Sequence, residues 1–82
     1  MNKENLLGEI YAALETDHAQ ADFTGLFRRY SNLYSMDDAA LSRCFTTSRP
    51  TVRRWLTGTV IPPGAALILR LMAEELEKEL GL

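Results

Sequence analysis

Leu41-Ser42-Arg43-Cys44-Phe45-Thr46-Thr47-Ser48-Arg49-Pro50-Thr51-Val52-Arg53-Arg54-Trp55-Leu56-Thr57-Gly58 is the stretch on which the reading of this 82-residue chain turns. Its two apolar groups, Leu41/Cys44/Phe45 and Val52/Trp55/Leu56, repeat at the three- and four-residue spacings that line one face of an α-helix. Between them stand Thr46, Thr47 and Ser48, polar hydroxyl residues of low helix propensity. The spacing therefore predicts two short helices joined by a tight turn. Asp37 is placed to cap the first helix. Ser48 is placed to cap the second, with Pro50 in its first turn, where a missing N–H costs nothing. Gly58 supplies the left-handed residue that ends a helix, which puts the second helix at about 49–57.

Working outward, Phe23, Leu26, Phe27, Tyr30, Leu33 and Tyr34 form a long apolar stripe, with Asp22 as the expected N-cap. Thr16 to Ala21 carry no stripe and read as a connector, and Leu6 or Leu7, Ile10 and Leu14 predict a helix at about 3–16 behind Asn2. On the other side Thr59-Val60-Ile61-Pro62-Pro63 reads as a loop. Pro63 or Gly64 then opens a last helix with Ala65, Ile68, Leu69, Met72, Leu76 and Leu80 inward. No period-2 run or hairpin turn is present, so the expectation is a single all-α domain of five helices. Residues 1–21 form its N-terminal helix and connector, and 22–82 the remaining bundle. Trp55, Phe23, Phe27 and Phe45 are expected in the core, Cys44 as a small buried hydrophobe, and His18 exposed.

The chain is 46% hydrophobic and 24% charged with a formal charge of −2, too apolar for disorder and too short for a large core. Added burial by dimerisation is one expectation that follows. One Cys and one His cannot supply a structural zinc site, and no apolar run approaches the roughly 20 residues of a membrane span. A lone cysteine and no leader pattern suggest a reducing, cytoplasmic setting. The net charge hides an uneven distribution. Residues 1–22 sum to −4, residues 23–72 to +5 and residues 73–82 to −3. All seven positive charges of the middle are arginines, whose planar fork suits phosphate or guanine. The sign is equally compatible with arginines that merely solvate a helical surface.

Two short helices, the second exposing Arg49, Arg53 and Arg54 while burying Val52, Trp55 and Leu56, make the physical pattern of a helix-turn-helix. Here the chain resembles the lambda repressor and Cro type (XRE-type) of helix-turn-helix regulators. The resemblance rests on Ser48-x-x-Thr51-Val52-x-Arg54-Trp55-x-x-Gly58 and the downstream Pro62, and extends over roughly residues 23–73. It implies a lambda-repressor-like bundle whose helix at about 49–57 lies in the major groove of DNA. The chain departs from the family's usual pattern at Ser42, commonly Ala, at Thr46, commonly Gly, and at Thr47, commonly a β-branched apolar residue. Thr46 would need a positive φ or an altered turn. The helix at 3–16 lies outside the common pattern.

The residue chemistry agrees with that implication. Arg49 and Arg53 are four apart, hence on one face, and either can pair bidentately with O6 and N7 of guanine. Arg54 points about 100° away and is assigned to a phosphate. Thr47, Ser48 and Thr57 are candidate hydroxyl donors to phosphate, and Pro50 and Thr51 could meet a thymine methyl. Arg28, Arg29 and Arg43 are weaker candidates on other helices. The expected function is sequence-specific double-stranded DNA binding by a small transcriptional regulator or repressor. It would act as a homodimer with half-sites about 34 Å apart, joined through Leu67, Leu71 and Leu82 or through the first helix. The competing reading is a protein-interaction module, an antitoxin or phage-type adaptor, on the same bundle. An enzyme is not expected: the only His stands alone, no Gly-rich phosphate loop is present, and no inward carboxylate pair is visible. No cofactor is implied.

Overall fold

The structure is a computed structural model that describes residues 2–82 and contains five helices: α1 Lys3–Glu15, α2 Ala19–Leu33, α3 Asp38–Cys44, α4 Arg49–Thr57 and α5 Ala65–Leu80. The N-caps of α1, α3 and α4 are those the sequence supplies. The side chains of Asn2 and Asp37 accept from Asn5 N and Ala40 N, each at 2.8 Å, and Ser48 accepts from Thr51 N at 3.3 Å. These bonds satisfy backbone donors that a helix start otherwise leaves unpaired. Gly58 closes α4 at φ +80°, and a Cβ there would lie 3.4 Å from the Thr24 hydroxyl of α2.

One cluster of buried side chains holds the elements together. Leu6 and Ile10 of α1, Phe23 and Phe27 of α2, and Leu69, Met72 and Leu76 of α5 are fully buried within it. The helix α1 is therefore part of the core, and it packs on both α5 and α2. Polar contacts tie the same three helices: Lys3 to Glu79 at 3.1 Å, Tyr11 to Glu77 at 2.5 Å, and Arg29 to Glu9 at 2.5 Å. Among the described residues no helix is long and apolar enough to cross a membrane.

Two expectations are corrected. The connector is short: α2 begins at Ala19, three residues before Asp22, which lies in the first turn and is not the N-cap. Thr16 closes α1 and Asp17 reverses the chain at φ +60°, so helical geometry resumes early and buries Ala19. Cys44 is exposed rather than buried. Phe45, half-buried, takes the inward direction, with its ring 5.6 Å from Phe27 and 6.3 Å from Tyr30. One residue earlier, at about 100° per residue, Cys44 is turned outward.

Candidate nucleic-acid interface

Trp55 is where the candidate site begins, because it fixes which side of α4 faces out. Its ring lies edge-on to Phe23 at 5.9 Å and to Phe27 at 5.6 Å, and with Val52 it is buried against α2. Edge-to-face aromatic pairs of this kind add to the burial of their area. With that face held, Arg49, Pro50, Arg53, Arg54 and Thr57 are exposed. The arginines are thus carried on a helix whose opposite side is fixed.

The turn from α3 into α4 is set by Thr46 and Ser42. Thr46 adopts φ +53°, a left-handed conformation that strains a β-branched residue. Ser42 compensates: its hydroxyl donates to the carbonyl of Thr47, and its own carbonyl accepts from Thr47 N at 3.0 Å. A side chain and the backbone of one residue therefore staple the turn from both ends.

Arg49 and Arg53 converge on Asp38, which opens α3. Arg53 donates from Nε to one carboxylate oxygen at 2.7 Å and Arg49 from Nη2 to the other at 3.3 Å. The hydrogen bond from Arg53, with the charges of both arginines, holds the Asp38 carboxyl below its ordinary range. Asp38 thus stays ionised, and both arginines point across the α3–α4 junction. The Nη groups of Arg53 have no hydrogen-bond partner among the described residues, which leaves the bidentate end of the fork open.

The remaining candidates divide. Ser48 caps α4, and its hydroxyl lies 2.8 Å from that of Thr51, so these two sit together at the helix start beside Arg49. Thr47 is half-buried in the turn. Thr57 lies at the far end, donating to the Arg54 carbonyl at 3.2 Å and 2.8 Å from the Thr59 hydroxyl. Arg54 is exposed, about 100° round the helix from Arg53. Arg29 is tied to Glu9 of α1, whereas Arg28 and Arg43 are exposed. The sequence did not single out Asp38. A signal was present: Asp37 and Asp38 are the only acidic residues between 23 and 72, and one aspartate suffices for the cap.

Comparison with protein-family models, with curated proteins and with solved structures finds no match to this chain.

Proposed function

We propose that α3 and α4 form a helix-turn-helix of the lambda repressor and Cro type, and that the chain binds double-stranded DNA sequence-specifically. In this reading α4 enters the major groove and the protein acts as a small transcriptional regulator. The observation that carries it is the pair Arg49 and Arg53, one turn apart on the exposed side of a capped helix whose other side is anchored by Val52 and Trp55. Arginine forks offered along one helix face match the O6 and N7 acceptors of guanine, which the major groove displays. Arg54, with the hydroxyls at the start of α4, serves the phosphates that flank such a helix.

Selection from a random duplex pool tests this reading and is expected to return a guanine-containing palindrome. On the selected site, Arg49→Ala and Arg53→Ala should each lower affinity by roughly 10- to 100-fold, the loss of one bidentate base contact. Arg54→Ala should weaken all sequences alike and reduce the salt slope by about one. Unchanged affinity in both the Arg49 and Arg53 variants defeats the proposal.

The palindrome requires a dimer. Leu67 and Leu71 support one, since they are 67% and 54% exposed one turn apart on α5. Apolar side chains left in water at this spacing form a face suited to a second helix. Light scattering at micromolar concentration should give about twice the 9.2 kDa of the chain. These leucines also favour the second reading, a protein-interaction module. Salt-dependent binding to arbitrary duplex DNA separates the two, because a module that binds only protein has none.

A further inference from the structure

Asp37 and Asp38 are adjacent and do different things. Asp37 spends its carboxylate on Ala40 N as the cap of α3. That leaves Asp38, in the first helical turn and with only 20% of its side chain exposed, free to take both arginines of α4. The arginine side chains are 57% and 62% exposed, so neither is confined by packing, and the carboxylate is what fixes their direction. The start of a helix favours a negative charge, so Asp38 is stabilised there independently of the arginines.

We propose that Asp38 is a specificity-determining positioning residue: it aims Arg49 and Arg53 at guanine edges and keeps backbone phosphate from capturing them. This rests on the DNA reading above and adds the means by which the arginines discriminate. Three steps lead to it. First, Arg53 gives its Nε–H to Asp38, so the donors left to it are on the two Nη groups. They can meet O6 and N7 of one guanine end-on, while the side-on approach through Nε is taken. Second, a phosphate reaching either arginine would bring its negative charge beside the Asp38 carboxylate, and like charges at that range repel. The neutral guanine edge meets no such repulsion. Third, one carboxylate shared by two cations leaves the trio with a net charge of +1, which lowers attraction to arbitrary DNA while both Nη groups of Arg53 stay available to guanine. Discrimination is a difference of affinities, and disfavouring the wrong acceptor increases it as surely as favouring the right one.

The test compares Asp38→Asn with Asp17→Asn, which removes one negative charge from the exposed turn between α1 and α2. Both are measured against the selected site and a random duplex over a salt series. With Asp38→Asn, random-duplex affinity should rise about five- to ten-fold at 0.1 M salt and its salt slope should steepen by about 0.9, one added phosphate contact. The ratio between selected and random sites should fall about ten-fold, while Asp17→Asn leaves it within two-fold. A further readout needs no DNA: in 15N spectra of the arginine side chains, the Arg53 Nε–H should be protected in the unsubstituted chain and lose protection in Asp38→Asn. Equal behaviour of the two variants toward both duplexes overturns the proposal. So does an Arg53 Nε–H that ignores the substitution, since any effect on DNA would then not run through that arginine. If the unsubstituted chain binds no duplex even at low salt, the DNA reading falls and this proposal with it. That result differs from a chain that binds DNA and discriminates equally well without Asp38.

Discussion

The α1–α2–α5 layer and the α3–α4 pair are held by different forces. In the first, seven large, fully buried side chains from three helices of 13 to 16 residues meet in one place. The second pair has helices of 7 and 9 residues and buries only Leu41, Val52 and Trp55, with its geometry set by two caps, a strained turn and a shared carboxylate. Apolar burial is non-directional, so the layer fixes the position of a surface. Hydrogen bonds and left-handed residues are directional, so the pair fixes the aim of individual side chains. The division implies that the pair opens at lower free energy than the layer.

The largest expected effect comes from cutting the link between the two regions. Trp55→Ala removes the ring that seats α4 on Phe23 and Phe27 and should cost about 3–5 kcal/mol in urea unfolding. Leu69→Ala, in the layer, should cost about 2–5 kcal/mol. Hydrogen exchange separates them. Trp55→Ala is expected to strip protection from the amides of α3 and α4 before those of α1 and α5, whereas Leu69→Ala lowers all amides together. Uniform loss in both variants would mean that the two regions form one cooperative unit.

Next in size is Gly58→Ala. At φ +80° any side chain is strained, and the new Cβ meets the Thr24 hydroxyl at 3.4 Å, so a loss of about 1–2 kcal/mol is expected. Thermal unfolding would show it as a lowered Tm, and an unchanged Tm would mean that α4 ends differently. The turn before α4 offers the opposite sign. Thr46→Gly relieves a strained φ of +53°, against the greater freedom that glycine gives the unfolded chain. The net effect should be a gain of up to about 1 kcal/mol, a rise of several degrees in Tm. Ser42→Ala removes the staple and should lose about 0.5–1.5 kcal/mol. A Thr46→Gly chain that melts lower than its parent would refute the strain.

These substitutions also mark how far the sequence could be read. The layer was legible because Phe23, Phe27, Leu69 and Leu76 repeat at helical spacing, and apolar periodicity needs no knowledge of partners. Asn2, Asp37 and Ser48 were legible as caps because a cap acts within three residues. At Thr46 the resemblance leaves a positive φ or an altered turn open, and the structure has the positive φ. The start of α2 is not legible in the sequence, because Ala19-Gln20-Ala21 shows no stripe and Asp22 is a favoured cap residue. Only the reversal at Asp17, which packs Ala19 inward, shows that the helix starts sooner. Cys44 and Phe45 both fit the inner face of a seven-residue helix, and the choice between them is made by Phe27 and Tyr30 from another helix. The role of Asp38 is hidden in the sequence for a related reason. Its partners stand 11 and 15 residues away, and no local rule connects them until the turn brings α4 back across α3.

The smallest expected effect compares a carboxylate from each region. Asp38 in the pair and Glu9 in the layer are both held below their ordinary values by hydrogen bonds from arginines, Arg53 and Arg29 respectively. A carboxyl whose pKa is lower in the folded than in the unfolded chain adds stability above its unfolded value. That contribution fades as pH falls toward its folded value. Both contributions should therefore be complete near neutrality and decline below about pH 4, the ordinary carboxylate range. Asp38→Asn and Glu9→Gln should each lower Tm slightly at pH 7, and their curves should rejoin that of the parent chain at acid pH. Exposed ion pairs of this kind are weak and screened by salt, so the difference at pH 7 should shrink in 1 M NaCl. The regions part in what the ion pair touches. Glu9→Gln loosens α1 against α2 and should leave the Arg53 Nε–H untouched, whereas Asp38→Asn frees that group with little effect on the layer. If Glu9→Gln also released Arg53, or if neither gap closed at acid pH, aim and position would not be separable in this chain.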